Sequence, residues 1–167
     1  MLVNFGVASI INQQVSMIFL IWHIPVMLWI TATEEVRIFY FLFFLKKKFN
    51  YYSRSLGHHR ITANLASLPQ TVTKLYFILS SWNAPNIGHF PNPSFKMFDP
   101  SKPDIQLCSY TIQSAASSQA VIMCVAAKNS YEGNWNVFEI GKLSAGNAKN
   151  YTPIEHTISN MDKFFGI

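Results

Sequence analysis

The stretch VTKLYFILSSW, Val72 to Trp82, is an almost unbroken apolar run set between Pro69 and Pro85. A run this short, rich in β-branched and aromatic residues and stopped by proline on both sides, predicts a strand covered on both faces rather than a helix. It therefore marks the centre of a core.

Working outward, RITANLASL alternates Ile61, Ala63 and Leu65 with Thr62 and Asn64, the pattern of a half-buried strand. On the other side, GHFPNPSFKMFD (Gly88 to Asp99) contains two prolines that cannot donate ladder hydrogen bonds, with Asn92 suited to a turn between them. The chain is expected to leave one strand there, cross over and re-enter at Ser94 to Phe98. PSKPD ends that strand, IQLCSYTI begins another, and QAVIMCVAA and WNVFEIGK flank KNSYEGN as the arms of a hairpin. Short strands at this spacing predict an antiparallel β-sandwich from about Arg60 to Lys142. One helix is signalled near the end, from about Pro153 to Phe164. Thr152 suits its cap, Glu155 completes a capping box, and Ile154, Ile158, Met161 and Phe165 share a face.

The chain has 167 residues, of which half are hydrophobic and 15% aromatic, enough for one core and too apolar for disorder. The net charge of +5 is modest, and beyond Lys48 the basic residues are scattered singly among acids. That is a solvated surface rather than a nucleic-acid stripe. Cys108 and Cys124 sit in apolar segments without metal-ligand spacing, which predicts reduced core thiols and a reducing compartment.

No charged side chain occurs from Met1 to Thr33, and two readings fit this amino-terminal part. Residues 15–32, VSMIFLIWHIPVMLWITA, are long enough for a membrane helix despite His23 and Pro25, and Lys46 to Lys48 would then hold the remainder in the cytoplasm. Alternatively, the Phe-, Lys- and Asn-rich run RIFYFLFFLKKKFNYY resembles translated non-coding sequence from a mis-started reading frame. Either way, residues 1–53 are expected to be helical or poorly ordered, since they lack the period-2 alternation of a sheet.

Taken together, LGHHRI, SLPQTVTKLYFILSSWNAPNIGHFPNPSFKMFD, LCSYTIQSAASSQAVIMC and VFEIGKLSAGNAKNY resemble the TerD domain, in a form similar to the slime-mould cAMP-binding protein. The resemblance covers residues 56–160, corresponding to the carboxy-terminal part of such a domain. It implies a mainly β, TerD-like sandwich, calcium binding in bacterial members, and a link to tellurium resistance and stress responses. The acid-rich DxDxSA and GDxxxGxGDDE motifs of the family are missing here.

Calcium needs several converging oxygen ligands, and Asp99 and Asp104 are the only acids between Leu56 and Lys128. Cofactor and calcium binding are therefore not expected of this chain. His58 and His59 invite a zinc reading, but neighbours on a strand face opposite ways. They and Asp99 are the metal candidates, weak ones. Trp82 and Asn83 are the ligand-pocket candidates, with plain strand-end architecture as the simpler alternative. KLSAGNAKN lacks the spacing of a phosphate loop and reads as an exposed connector. Cys124 with His89 is the least favoured reading, an enzyme, because a thiol inside an apolar strand is a poor nucleophile.

The expected function is thus a non-catalytic, cytoplasmic, stress-associated protein that binds a small ligand or ion, with a membrane-anchored binding domain as the alternative. Half a sandwich would expose its inner face, so self-association or a covering partner is expected.

Overall fold

Strand pairing sets the architecture of this chain, whose structure is a computed structural model describing residues 7–10, 14–20, 26–32, 58–81, 85–89, 94–111, 117–147 and 149–165. The strands are β1 (Val7–Ile10), β2 (Gln14–Leu20), β3 (Val26–Ala32), β4 (His58–Asn64), β5 (Val72–Ser80), β6 (Ser94–Asp99), β7 (Lys102–Thr111), β8 (Ala120–Lys128) and β9 (Trp135–Ser144), followed by helix α1 (Thr152–Phe165). Every pairing is antiparallel. One sheet has the order β1-β9-β8-β5-β3 and the other β4-β2-β6-β7.

The apolar run Val72–Ser80 is a strand with ladder partners on both edges, β3 and β8. Its alternation divides the burial. Leu75, Phe77 and Leu79 join Phe95, Met97 and Cys108 of the four-stranded sheet in an inner core. Tyr76 and Ile78 join Ile122 and Val125 of β8 and Ile154, Ile158 and Met161 of α1 in an outer one. This is why the segment is apolar beyond Thr73 and Lys74: from Leu75 to Ser80 neither side meets water. The crossover before Ser94 is also as expected, since β5 and β6 lie in different sheets. The β8–β9 connection closes as a hairpin, with the Asn129 amide donating to the Asn134 carbonyl at 2.7 Å and the Gly133 amide to the Asn129 carbonyl at 2.9 Å.

The helix begins one residue earlier than its signals suggested. Amides of Ile154 and Glu155 both donate to the Tyr151 carbonyl, at 2.8 and 3.0 Å, so Tyr151 rather than Thr152 holds the capping position. KLSAGNAKN is likewise only partly a connector, because Lys142 to Ser144 finish β9.

The amino-terminal part requires the main correction. Where described, it is neither helical nor disordered: β2 lies between β4 and β6, β1 extends the five-stranded sheet beyond β9, and β3 pairs along β5 from Val26–Leu79 to Ala32–Val72. The run 15–32 is thus no membrane helix; it divides into two strands on either side of residues 21–25, which contain His23 and Pro25. Among the described residues no helix is long and apolar enough to cross a membrane. The expectation failed because periodicity alone does not separate a short apolar strand from a helical segment.

The sandwich is not left open: strands from both sides of residues 53–56 share each sheet, and the inner core residues Leu75, Leu79, Met97, Val121, Met123 and Val137 are fully buried in a single chain.

Candidate ligand-binding end of the sandwich

The registers gather several polar residues at one end of the molecule. In the four-stranded sheet Leu20, at the end of β2, pairs with His58 and with Ser94, and Ser94 pairs with Thr111. In the five-stranded sheet Ser80, at the end of β5, pairs with Ala120, which pairs with Ser144. Three transitions between the sheets, β2 to β3, β5 to β6 and β7 to β8, leave and enter at these strand ends.

Ser80 and Ser81 are the unusual residues here. Both are 0% exposed, and neither hydroxyl has a hydrogen-bond partner among the described residues. Ser80 is the last residue of β5 and Ser81 the residue that follows the strand. A buried hydroxyl left unpaired costs about 1–3 kcal/mol, which makes two in succession an exception needing a cause. The backbone around them is well tied: the Ser81 amide donates to the Gln119 carbonyl at 2.9 Å, and the Ile87 amide to the Ser118 carbonyl at 2.8 Å. Gln119 in turn accepts the Gly146 amide on its Oε1 at 3.0 Å. Ser144 is satisfied, its Oγ lying 2.8 Å from Thr157 Oγ1 and donating to the Ala145 carbonyl at 2.8 Å. Sequence reading passed over the two serines, although a pair of hydroxyls closing an apolar strand was the available signal.

Trp82 and Asn83, the candidates read from sequence, lie outside the described residues; they continue the chain directly from Ser81. His58 and His59 open β4, an edge strand, opposite Leu20 and Phe19. Asp99 is far from them. Phe98 pairs with Ser16 whereas His58 pairs with Leu20, and Asp99 lies one residue further along, a separation of about 17 Å at ~3.4 Å per residue. Its side chain has a turn to hold: Oδ1 accepts from the Ser101 amide at 2.9 Å and the Ser101 hydroxyl at 2.7 Å, closing the β6–β7 hairpin. The three metal candidates are therefore not brought together.

Among the described residues no three His, Cys, Asp or Glu side chains converge. Asp104 is exposed on β7, Glu132 is exposed in the β8–β9 hairpin, and Glu139 lies on β9 opposite Cys124. These carboxylates do not fit calcium, which needs several oxygens on one ion.

Cys108 and Cys124 both belong to the inner core, at 4% and 0% exposure. Burial pushes the Cys124 thiol well above its ordinary pKa, and its hydrogen bond to Cys108 and the nearby Cys108 and Glu139 charges push the same way. A thiol held protonated is a weak nucleophile. His89 belongs to the short 3-10 turn Ile87–His89.

No family model and no curated protein matches the sequence. Solved structures do match the fold. A homologue of the telluride resistance protein TerD from Streptomyces coelicolor A3(2) superposes with a TM-score of 0.59 at 9% identity, covering 83% of this chain and 94% of that one. A crystal structure of a protein of unknown function matches with a TM-score of 0.52 at 8% identity, covering 90% of this chain and 94% of the other.

Proposed function

We propose that this chain, which has a TerD-like sandwich fold, is a non-catalytic, stress-associated cytoplasmic protein that binds a small polar ligand at the Ser80–Ser81 end. The observation that carries this reading is the pair of buried hydroxyls, without partners among the described residues, at the end where the sheets exchange strands. A hydroxyl that has lost water without gaining a protein partner is matched when a polar ligand supplies the missing bond. The resemblance to the cAMP-binding form of the family makes a cyclic nucleotide the first ligand to try. Two buried free thiols suit a reducing compartment.

Calorimetry with cyclic AMP tests the reading. Saturable binding is expected, about fivefold to tenfold weaker in Ser81→Ala or Ser80→Ala, the worth of one hydrogen bond. Absence of binding, or binding indifferent to both substitutions, overturns the ligand assignment. A calcium titration is expected to give no saturable heat.

A further inference from the structure

The two cysteines lie on opposite sheets, and both are placed by irregularities in their strands. In β8 the register shifts between Ile122 and Cys124, so that Met123 and Cys124, consecutive residues, both enter the inner core. Strict alternation after Val121 and Met123 would have turned Cys124 towards α1. In β7 the register jumps from Met97–Cys108 to Phe98–Gln106, and Leu107 and Cys108 both pack against that same core. A bulge re-aims the side chains beside it. Here two bulges, one in each sheet, bring a cysteine to the same interior, close enough for Cys108 to raise the Cys124 pKa.

The geometry points to Cys108 and Cys124 as an oxidisable dithiol that closes into a disulfide between the sheets when the chain meets a small hydroperoxide. Cys108, the less completely buried of the two and on the edge strand β7, is the sulfur such an oxidant reaches first. Its sulfur takes the terminal peroxide oxygen, giving a sulfenic acid and releasing water from hydrogen peroxide or an alcohol from an organic hydroperoxide. The Cys124 sulfur then bonds to the Cys108 sulfur; the sulfenic hydroxyl leaves with the thiol proton as a second water. Two electrons pass from the thiol pair to the peroxide, and a dithiol reductant returns them. The bond joins consecutive strands that belong to different sheets, so it fastens the sandwich across its core. Its formation does not depend on the ligand reading above.

The full chain, reduced and then freed of reductant, is exposed to hydrogen peroxide, denatured in an alkylating agent and weighed. Both thiols are expected to disappear together, the mass to fall by two hydrogens, and digestion to link the Cys108 and Cys124 peptides within one chain. Dithiothreitol should restore both thiols, and the oxidised chain should melt at a higher temperature than the reduced one. Cys124→Ser, checked for folding by its melt, should stop at a sulfenic acid on Cys108 that dimedone traps. Three results overturn the proposal: loss of Cys108 while Cys124 stays alkylatable in the wild-type chain, cross-links only between chains, or no reaction until denaturant is added.

Discussion

The two faces of the five-stranded sheet are covered in different ways. On the outer face Tyr76, Ile78, Ile122 and Val125 meet α1, which follows the same sheet's β9 after a short connection. On the inner face Leu75, Phe77 and Leu79 meet Phe95, Met97 and Cys108, in a sheet whose interior strand β2 comes from the other end of the chain. One cover is local and amphipathic; the other is assembled from distant segments. The inner face should therefore report on the whole fold, and the outer face on the docking of a single helix.

The sharpest way to break this contrast is to remove a side chain from each face. Phe77→Ala deletes a 1% exposed ring from the inner core and is expected to cost about 3–5 kcal/mol in urea unfolding, lowering the cooperativity of both sheets together. Ile158→Ala, on the fully buried face of α1, should cost about 2–4 kcal/mol and leave the sandwich as the last unit to exchange its amides. Equal loss of protection in both sheets from the helix variant would erase the distinction.

Next comes the connector that makes the outer cover local. Gly146 has φ +95°, and a Cβ there would lie 2.8 Å from the Asn150 carbonyl oxygen and 3.1 Å from a Pro153 ring carbon. Gly146→Ala should cost about 2 kcal/mol, through the left-handed backbone and the close approach together. An unchanged melt would mean that the helix docks without help from this turn.

The smallest effect belongs to the inner face and to pH. The folded chain holds Cys124 protonated to a higher pH than the unfolded chain does, because burial raises its pKa. Above the unfolded value of about 8.5 the unfolded state therefore binds fewer protons, and stability falls as pH rises, with a slope that grows towards about 1.4 kcal/mol per unit until the folded thiol ionises too. Urea titrations from pH 8 to 9.5 should show this slope, and Cys124→Ala should reduce it. The same slope in the variant would assign it to other groups.

Legibility in the sequence followed the same division. Val72 to Ser80 was readable as a strand buried on both faces because its apolar run is bounded by prolines, and α1 because Ile154, Ile158 and Met161 recur at helical spacing. The amino-terminal strands were not readable. Val15 to Ala32 has the length and hydropathy of a membrane helix, and periodicity alone does not tell two short apolar strands from it. At the candidate site, Ser80 and Ser81 are unusual only in being buried without partners among the described residues, which the sequence does not show.

By itself, the amino-acid sequence determined which segments from Ile61 onward are strands, where prolines and asparagines turn the chain, and that one amphipathic helix closes it. These are local properties, carried by side-chain period and by the backbone limits of proline. Tertiary structure alone decided that β2 fills the interior of the four-stranded sheet, that Asp99 serves a turn at the end opposite His58, and that two bulges bring Cys108 to Cys124. Those facts depend on register between strands remote in sequence. A shift of one residue turns every side chain to the other face, and only the summed packing of the core selects against it.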